Sequence, residues 1–240
     1  MIAKAMERFL ALAGTKTFEI GGVTYSNEKL KKVVEEPIAD PISVDTLSGV
    51  IDYIEKVMHA EARYEGYFIH VRDYNSVEIV GLLNVDKKRE TLLRASAYNF
   101  NVPVNCWQEN EKMIIVLQTM FAPTEDLKKV MKFVGTVTQG TIKDYSDDGV
   151  TQKATIRSGV SSKSDAVVPG PVRLRPYRTF IEVEQPESAF VFRMREGKNM
   201  PESALFSADG GIWKVQAVTT IKRFLEEKLA ERGINIPVIL

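Results

Sequence analysis

The sequence predicts an α+β fold of mostly antiparallel sheets with packed helices, its β-rich C-terminal half closed by a C-terminal helix. Three observations carry this expectation. Short runs rich in β-branched and aromatic residues, divided by polar turn clusters, recur at 67–98 and again at 141–195. Apolar stripes at helical spacing occupy 44–58, 109–134 and 213–229. The composition, 44% hydrophobic and 27% charged over 240 residues, suits a chain that buries a core and excludes disorder for most of its length.

Taken in order, Ile2, Met6, Phe9 and Ala13 stand at helical spacing before Gly14 and predict a short amphipathic helix. Thr17 to Tyr25 sets two β-rich triplets around Gly21-Gly22, a pair that supplies the positive φ of a hairpin turn. Residues 28–36 are charged, and Pro37 and Pro41 then forbid a continuous helix or a central strand, which places a linker at 36–43. Residues 1–43 therefore read as an N-terminal helix and hairpin arm with its linker. Residues 44–240 read as the α+β core, with a sub-boundary to be sought near 105–140.

Leu47, Val50, Ile51, Ile54, Val57 and Met58 predict the first helix of that core, capped by Ser43 or Asp45. Tyr67 to Arg72, Val77 to Leu83 and Glu90 to Tyr98 read as an antiparallel meander. Met113, Leu117, Met120 and Phe121 form one helical stripe. Pro123-Thr124-Glu125 reopens a second, with Leu127, Val130, Met131 and Val134. Ile142 to Ser146 and Val150 to Ser158 flank Asp147-Asp148-Gly149 as a hairpin, and Val172 to Val183 and Ala189 to Arg195 flank a turn at Pro186. Trp213, Ala217, Val218, Ile221, Leu225 and Leu229 mark the closing helix, which Gly233 ends. The apolar tail Ile234 to Leu240 is expected to add a strand to a sheet.

Charge and composition restrict the chemistry. The 32 Lys and Arg balance the 32 Asp and Glu, so a purely electrostatic nucleic-acid binder is excluded and any phosphate site must be local. One cysteine, Cys106, makes no internal disulfide and suggests a reducing cytosol; beside Trp107 it reads as a small buried hydrophobe. Lys4, Glu7 and Arg8 interrupt any signal sequence, and no run reaches the roughly 18 apolar residues of a membrane span, so no membrane partner is expected. A nucleophile would need His59 or His70 as its base, and no nucleophile elbow, zinc ligand set, Walker loop or Rossmann glycine pattern occurs. No catalytic residue, metal or cofactor is assigned. Glu182 and Glu184, expected on one face of a strand, and Asp147 are the carboxylates an enzyme reading would use.

The densest chemistry lies in residues 171–195. Arg173, Arg175 and Tyr177 fall on one strand face by period-two alternation, Arg178 follows at once, and Arg193 and Arg195 line the next strand. Guanidinium groups beside aromatic rings are what a phosphate-bearing or stacked-base ligand requires. The same arginines could instead pair with Glu182, Glu184 and Glu187 as an ion-pair ladder.

The order of FAPTEDLKKVMKFVG, the DDGV hairpin, VVPGPVRLRPYRTF, AFVFRMREG and a closing helix resembles the uncharacterised YfdQ-like proteins of bacteriophages and prophages over residues 109–230. The resemblance implies a phage or prophage origin and a role in the host cytoplasm during infection. The expected function is a non-enzymatic binding protein whose Arg and Tyr strands hold an anionic ligand, either a host defence nucleotide signal or a nucleic acid. Alternatives are a recombination or replication accessory protein, a metal-dependent phosphodiesterase-like enzyme, and a self-assembling structural protein. A homo-oligomer is expected, through the N-terminal arm or the apolar tail.

Overall fold

The computed structural model describes residues 14, 17–20, 23–26, 38–59, 65–84, 87–98, 101–139, 141–147, 152–158, 162–168, 170–198 and 200–240. The chain divides into two compact units, Met1–Ile38 and Ala39–Leu240. In the first, β1 (Thr17–Ile20) and β2 (Val23–Ser26) pair antiparallel, with Thr17 opposite Ser26 and Ile20 opposite Val23. The expected helix over 1–13 and the Gly21-Gly22 turn lie outside the described residues.

The second unit runs β3 (Ile42–Val44), α1 (Leu47–Tyr53, continued by a π turn over Ile54–His59), β4 (Tyr67–Asp73), β5 (Ser76–Gly81) and β6 (Thr91–Ser96). It continues with β7 (Gln108–Glu109), α2 (Asn110–Thr119), β8 (Phe121–Ala122), α3 (Glu125–Gln139), β9 (Thr141–Asp147), β10 (Gln152–Ser158) and β11 (Ser162–Val168). Then follow β12 (Val172–Pro176), β13 (Ser188–Arg195), β14 (Glu202–Ser207), α4 (Ile212–Ala230) and β15 (Val238–Ile239). The α+β class is observed, and α4 follows the last long strands.

The first five-stranded sheet has the order β15-β4-β5-β6-β3. Its centre is the expected antiparallel meander, and short parallel strands edge it on both sides. Ile69, Val71, Ile79, Leu93 and Ala95 pack with Leu47, Val50, Ile51 and Ile54 of the first helix and Ile221, Leu225 and Leu229 of α4 in one core. Thr46, rather than Ser43 or Asp45, caps α1: its hydroxyl accepts from the Gly49 N–H at 3.1 Å. The i→i+5 bonding of the π turn rotates the last residues out of the 3.6 register, so Val57 is exposed while Met58 stays buried. Gly233 adopts φ +68°, ends α4 and sends Ile234, Ile236 and Val238 into the core by alternation. The tail then joins the sheet beside β4, Val238 facing Ile69.

The second five-stranded sheet, β7-β14-β13-β12-β8, is antiparallel throughout. Its inner face (Val172, Leu174, Phe190, Phe192, Met194 and Leu205) forms a separate core with Met113 and Leu117 of α2 and with Leu127, Val130, Phe133 and Val134 of α3. Phe133 meets Phe192 edge-on at 5.8 Å. Phe121, expected to extend the first helical stripe, is buried instead as part of β8, opposite Pro176. The Thr124 hydroxyl caps α3 by accepting from the Leu127 N–H at 3.0 Å. A three-stranded antiparallel sheet, β11-β10-β9, completes the described unit. Asp147 ends β9, and Asp148 and Gly149 lie outside the described residues.

The run expected as one strand from Val172 to Val183 ends at Pro176. Proline lacks the N–H that a further ladder bond needs. The chain leaves as a loop, residues 177–187, and crosses to the first core, where Phe180 and Val183 are buried. Glu182 therefore shares no strand face with Glu184. Its carboxylate instead accepts from the Leu47 N–H at 2.5 Å and from the N–H and hydroxyl of Ser48, closing the open first turn of α1.

Candidate ligand site

The structure distributes the six expected site residues over three places. On the outer face of β12, Arg173 pairs with Glu187 at 3.2 Å, and Arg175 with Glu184 at 2.5 Å and Glu187 at 3.7 Å. These are the partners of an ion-pair ladder, and the Arg173 side chain is 72% exposed. The Arg173 N–H also donates to Asp126 at 2.9 Å, a bond that, with Lys129, holds the Asp126 carboxyl below its usual range. Tyr177 lies past the end of β12, so the expected alternation with Arg173 and Arg175 stops at Pro176; its N–H donates to the Met120 carbonyl at 2.9 Å.

Arg178 occupies the second place, a joint between the cores. Its guanidinium lies 3.8 Å from the Trp213 ring centre at the start of α4 and donates to the Ser188 hydroxyl, which donates in turn to Asp209 at 2.5 Å. Burial lowers the Arg178 pKa to about 10 and the Asp209 charge opposes that fall, so the group stays protonated at neutral pH. Burial also pushes the Asp209 carboxyl up, but the Ser188 hydroxyl, the Gly211 N–H and Arg178 outweigh it and hold the group below its ordinary value. Tyr74 meets Trp213 edge-on at 4.8 Å, and its carbonyl accepts from the Thr179 hydroxyl. These contacts hold the loop, α4 and the β4–β5 turn together, while the buried Arg178 Nε makes no hydrogen bond among the described residues.

The third place is the far end of the second sheet. Period-two alternation puts Arg193 and Arg195 on the outer face of β13, while Phe192 and Met194 face inward. Arg193 donates to the Phe192 carbonyl at 3.0 Å. The Arg195 guanidinium lies 4.3 Å from the Trp107 ring centre, and both its Nε and one terminal nitrogen reach Glu202 at 2.7 Å. Phe206 meets Trp107 edge-on at 5.7 Å. Glu202 stands opposite Arg195 in the ladder, and Glu109 opposite Glu202, which aligns the three across β13, β14 and β7.

Beside this stack opens a cavity of about 470 Å³ lined by Glu109, Arg195, Glu196, Gly197, Lys198, Met200 and Glu202. Glu109 pairs with Lys112 at 3.2 Å and Glu202 with Arg195. Among the described residues, Glu196 and Lys198 have no ion-pair partner.

Of the expected set, only Arg195 touches the cavity. Residue order gives no site signal for Trp107, Lys198 or Glu202, because β7 and β14 are brought beside β13 by pairing rather than by local pattern. The nearest sequence signal was Trp107 beside Cys106, and Cys106 proves exposed, not buried: it sits in the loop before β7 and accepts a long bond from Gln108 at 3.5 Å. No group of three or more His, Cys, Asp or Glu among the described residues is placed to hold a metal ion. Among the same residues no helix is long and apolar enough to cross a membrane. No family model, curated protein or solved structure matches the chain.

Proposed function

We propose that the protein is a non-enzymatic binding protein that holds a small anionic nucleotide at the far end of its second sheet, with Arg195 and Lys198 as cationic partners. The observation that carries this reading is the Arg195 guanidinium, fixed by Glu202 against Trp107 on the wall of a cavity within the size range of small-molecule sites. A guanidinium plane backed by an aromatic ring offers its other face to a base, and its edge N–H groups to phosphate. The charge balance favours a single nucleotide over a nucleic acid. A polymer is held by a track of cations that replace its counterions, whereas Arg173 and Arg175, the further arginines on this sheet's outer face, already have carboxylate partners. The prophage resemblance suggests the setting, a phage-encoded protein in the host cytoplasm with a host defence nucleotide signal as ligand.

The test is titration with nucleoside monophosphates at fixed salt, followed by tryptophan fluorescence. Wild type is expected to show saturable quenching. Arg195→Ala should bind roughly 10- to 150-fold more weakly, as expected for loss of a hydrogen bond to a charged group. Arg173→Ala should bind as wild type, its exposed pair being worth about 0–1 kcal/mol of stability. Equal affinity in Arg195→Ala, or no binding at millimolar nucleotide, overturns the reading.

Self-association is the second reading, favoured by one observation. Ile239 of the edge strand β15 and Leu240 after it are both exposed, and residues 234–240 carry no charged side chain to guard that edge. Removing residues 238–240 is expected to lower the mass measured by light scattering. A monomer before and after removal ends this reading.

A further inference from the structure

We infer that the nucleotide carries guanine, read by Glu196 while Lys198 holds the phosphate; this rests on the nucleotide reading above and specifies its base. Three carboxylates line the cavity, and two are committed, Glu109 to Lys112 and Glu202 to Arg195. Glu196 is left as an acceptor that no cation among the described residues neutralises, and Lys198 as a donor in the same position. Both belong to the β13–β14 hairpin, one residue to either side of Gly197.

An ionised carboxylate only accepts hydrogen bonds, and its two oxygens are matched by two parallel donors. Guanine presents such a pair, the N1–H and the exocyclic N2–H₂, side by side on one edge. Adenine presents one amino group next to a ring nitrogen that is itself an acceptor, so a carboxylate there meets repulsion on one of its two oxygens. Uracil and hypoxanthine offer a single ring N–H flanked by carbonyls or by C–H. With the base stacked on the open face of Arg195, a carboxylate on the hairpin meets the base edge, and the lysine is left for the phosphate at the cavity mouth.

The experiment is calorimetric titration of the full chain with GMP, AMP and IMP separately at fixed salt. Wild type is expected to prefer GMP over AMP and over IMP by about tenfold or more, the scale of a lost charged hydrogen bond. Glu196→Gln should bring the three affinities to within about twofold, weakening GMP and relieving the repulsion that penalises AMP. Lys198→Ala should weaken all three alike and preserve the preference. Equal GMP and AMP affinity in wild type, or a guanine preference that survives both Glu196→Gln and Glu196→Ala, overturns the inference and leaves the nucleotide reading standing. Absence of binding by all three nucleotides overturns both. Circular dichroism of each variant separates a lost contact from a lost fold.

Discussion

Phe180→Ala is expected to lower the free energy of unfolding by about 3–5 kcal/mol, the usual range for deleting a buried aromatic ring. Phe180 is 1% exposed and lies among the residues of the first core, although it is carried by the loop that leaves the second sheet. The cost depends on how far the surroundings relax into the space left behind. Here the loop is held on both sides of the ring. The Gln185 side chain accepts from the N–H groups of Arg178 and Thr179 and donates to the carbonyls of Phe180 and Val183. Glu182 is bound to the start of α1, and Thr179 to Tyr74. A loop fixed at that many points cannot sink to refill the cavity, which places the expected loss in the upper part of the range. Glu182→Ala, which removes a cap and no core volume, should cost less, about 1–2 kcal/mol. Urea unfolding with a common slope measures both; a Phe180→Ala loss below that of Glu182→Ala would show that the loop is not part of the core.

Gly197→Ala is expected to destabilise the protein by about 1–3 kcal/mol and to disturb the Arg195 stack at the same time. A β-carbon at this position would lie 2.2 Å from the Met200 carbonyl oxygen and 2.9 Å from the Glu202 Cγ. The first contact is with backbone, so the β13–β14 hairpin has to open rather than a side chain merely swing aside. Opening it moves Glu202, whose carboxylate fixes Arg195 against Trp107. Gly135, in α3, provides the control: an added β-carbon there meets nothing within 4 Å. Gly135→Ala is therefore expected to be neutral or slightly stabilising, since alanine is the better helix former. Thermal melting and nucleotide titration of the two variants check this, and a Gly197→Ala protein as stable as Gly135→Ala would show that the hairpin has room the structure denies it.

Elements whose signals are local can be read from residue order alone. The meander of β4 to β6 is legible because runs rich in β-branched and aromatic residues are divided by turn residues, and α4 because Ala217, Ile221, Leu225 and Leu229 repeat at helical spacing and Gly233 supplies the left-handed stop. The apolar tail could be read as a strand because nothing else disposes of Ile234, Ile236 and Val238. Strands without such a pattern escaped. β11 begins Ser-Lys-Ser-Asp and owes its strand character to pairing with the neighbouring β10, whereas β7 and β8 are two residues each and owe theirs to backbone bonds with partners far along the chain.

The arginines show the same division at the level of chemistry. Their positions and alternation were fixed by residue order, but whether each is free, paired or buried depends on which carboxylate lies within about 4 Å, and that distance is set by the fold. Pro176 ends β12 and turns Glu184 back toward Arg175 while carrying Glu182 away to α1. The loop also buries Arg178 against Trp213, 35 positions later in the chain. Only the pairing of β13 with β14 brings Glu202 to Arg195 beside Trp107, because a guanidinium is oriented by short-range contacts that residue order along one strand does not encode.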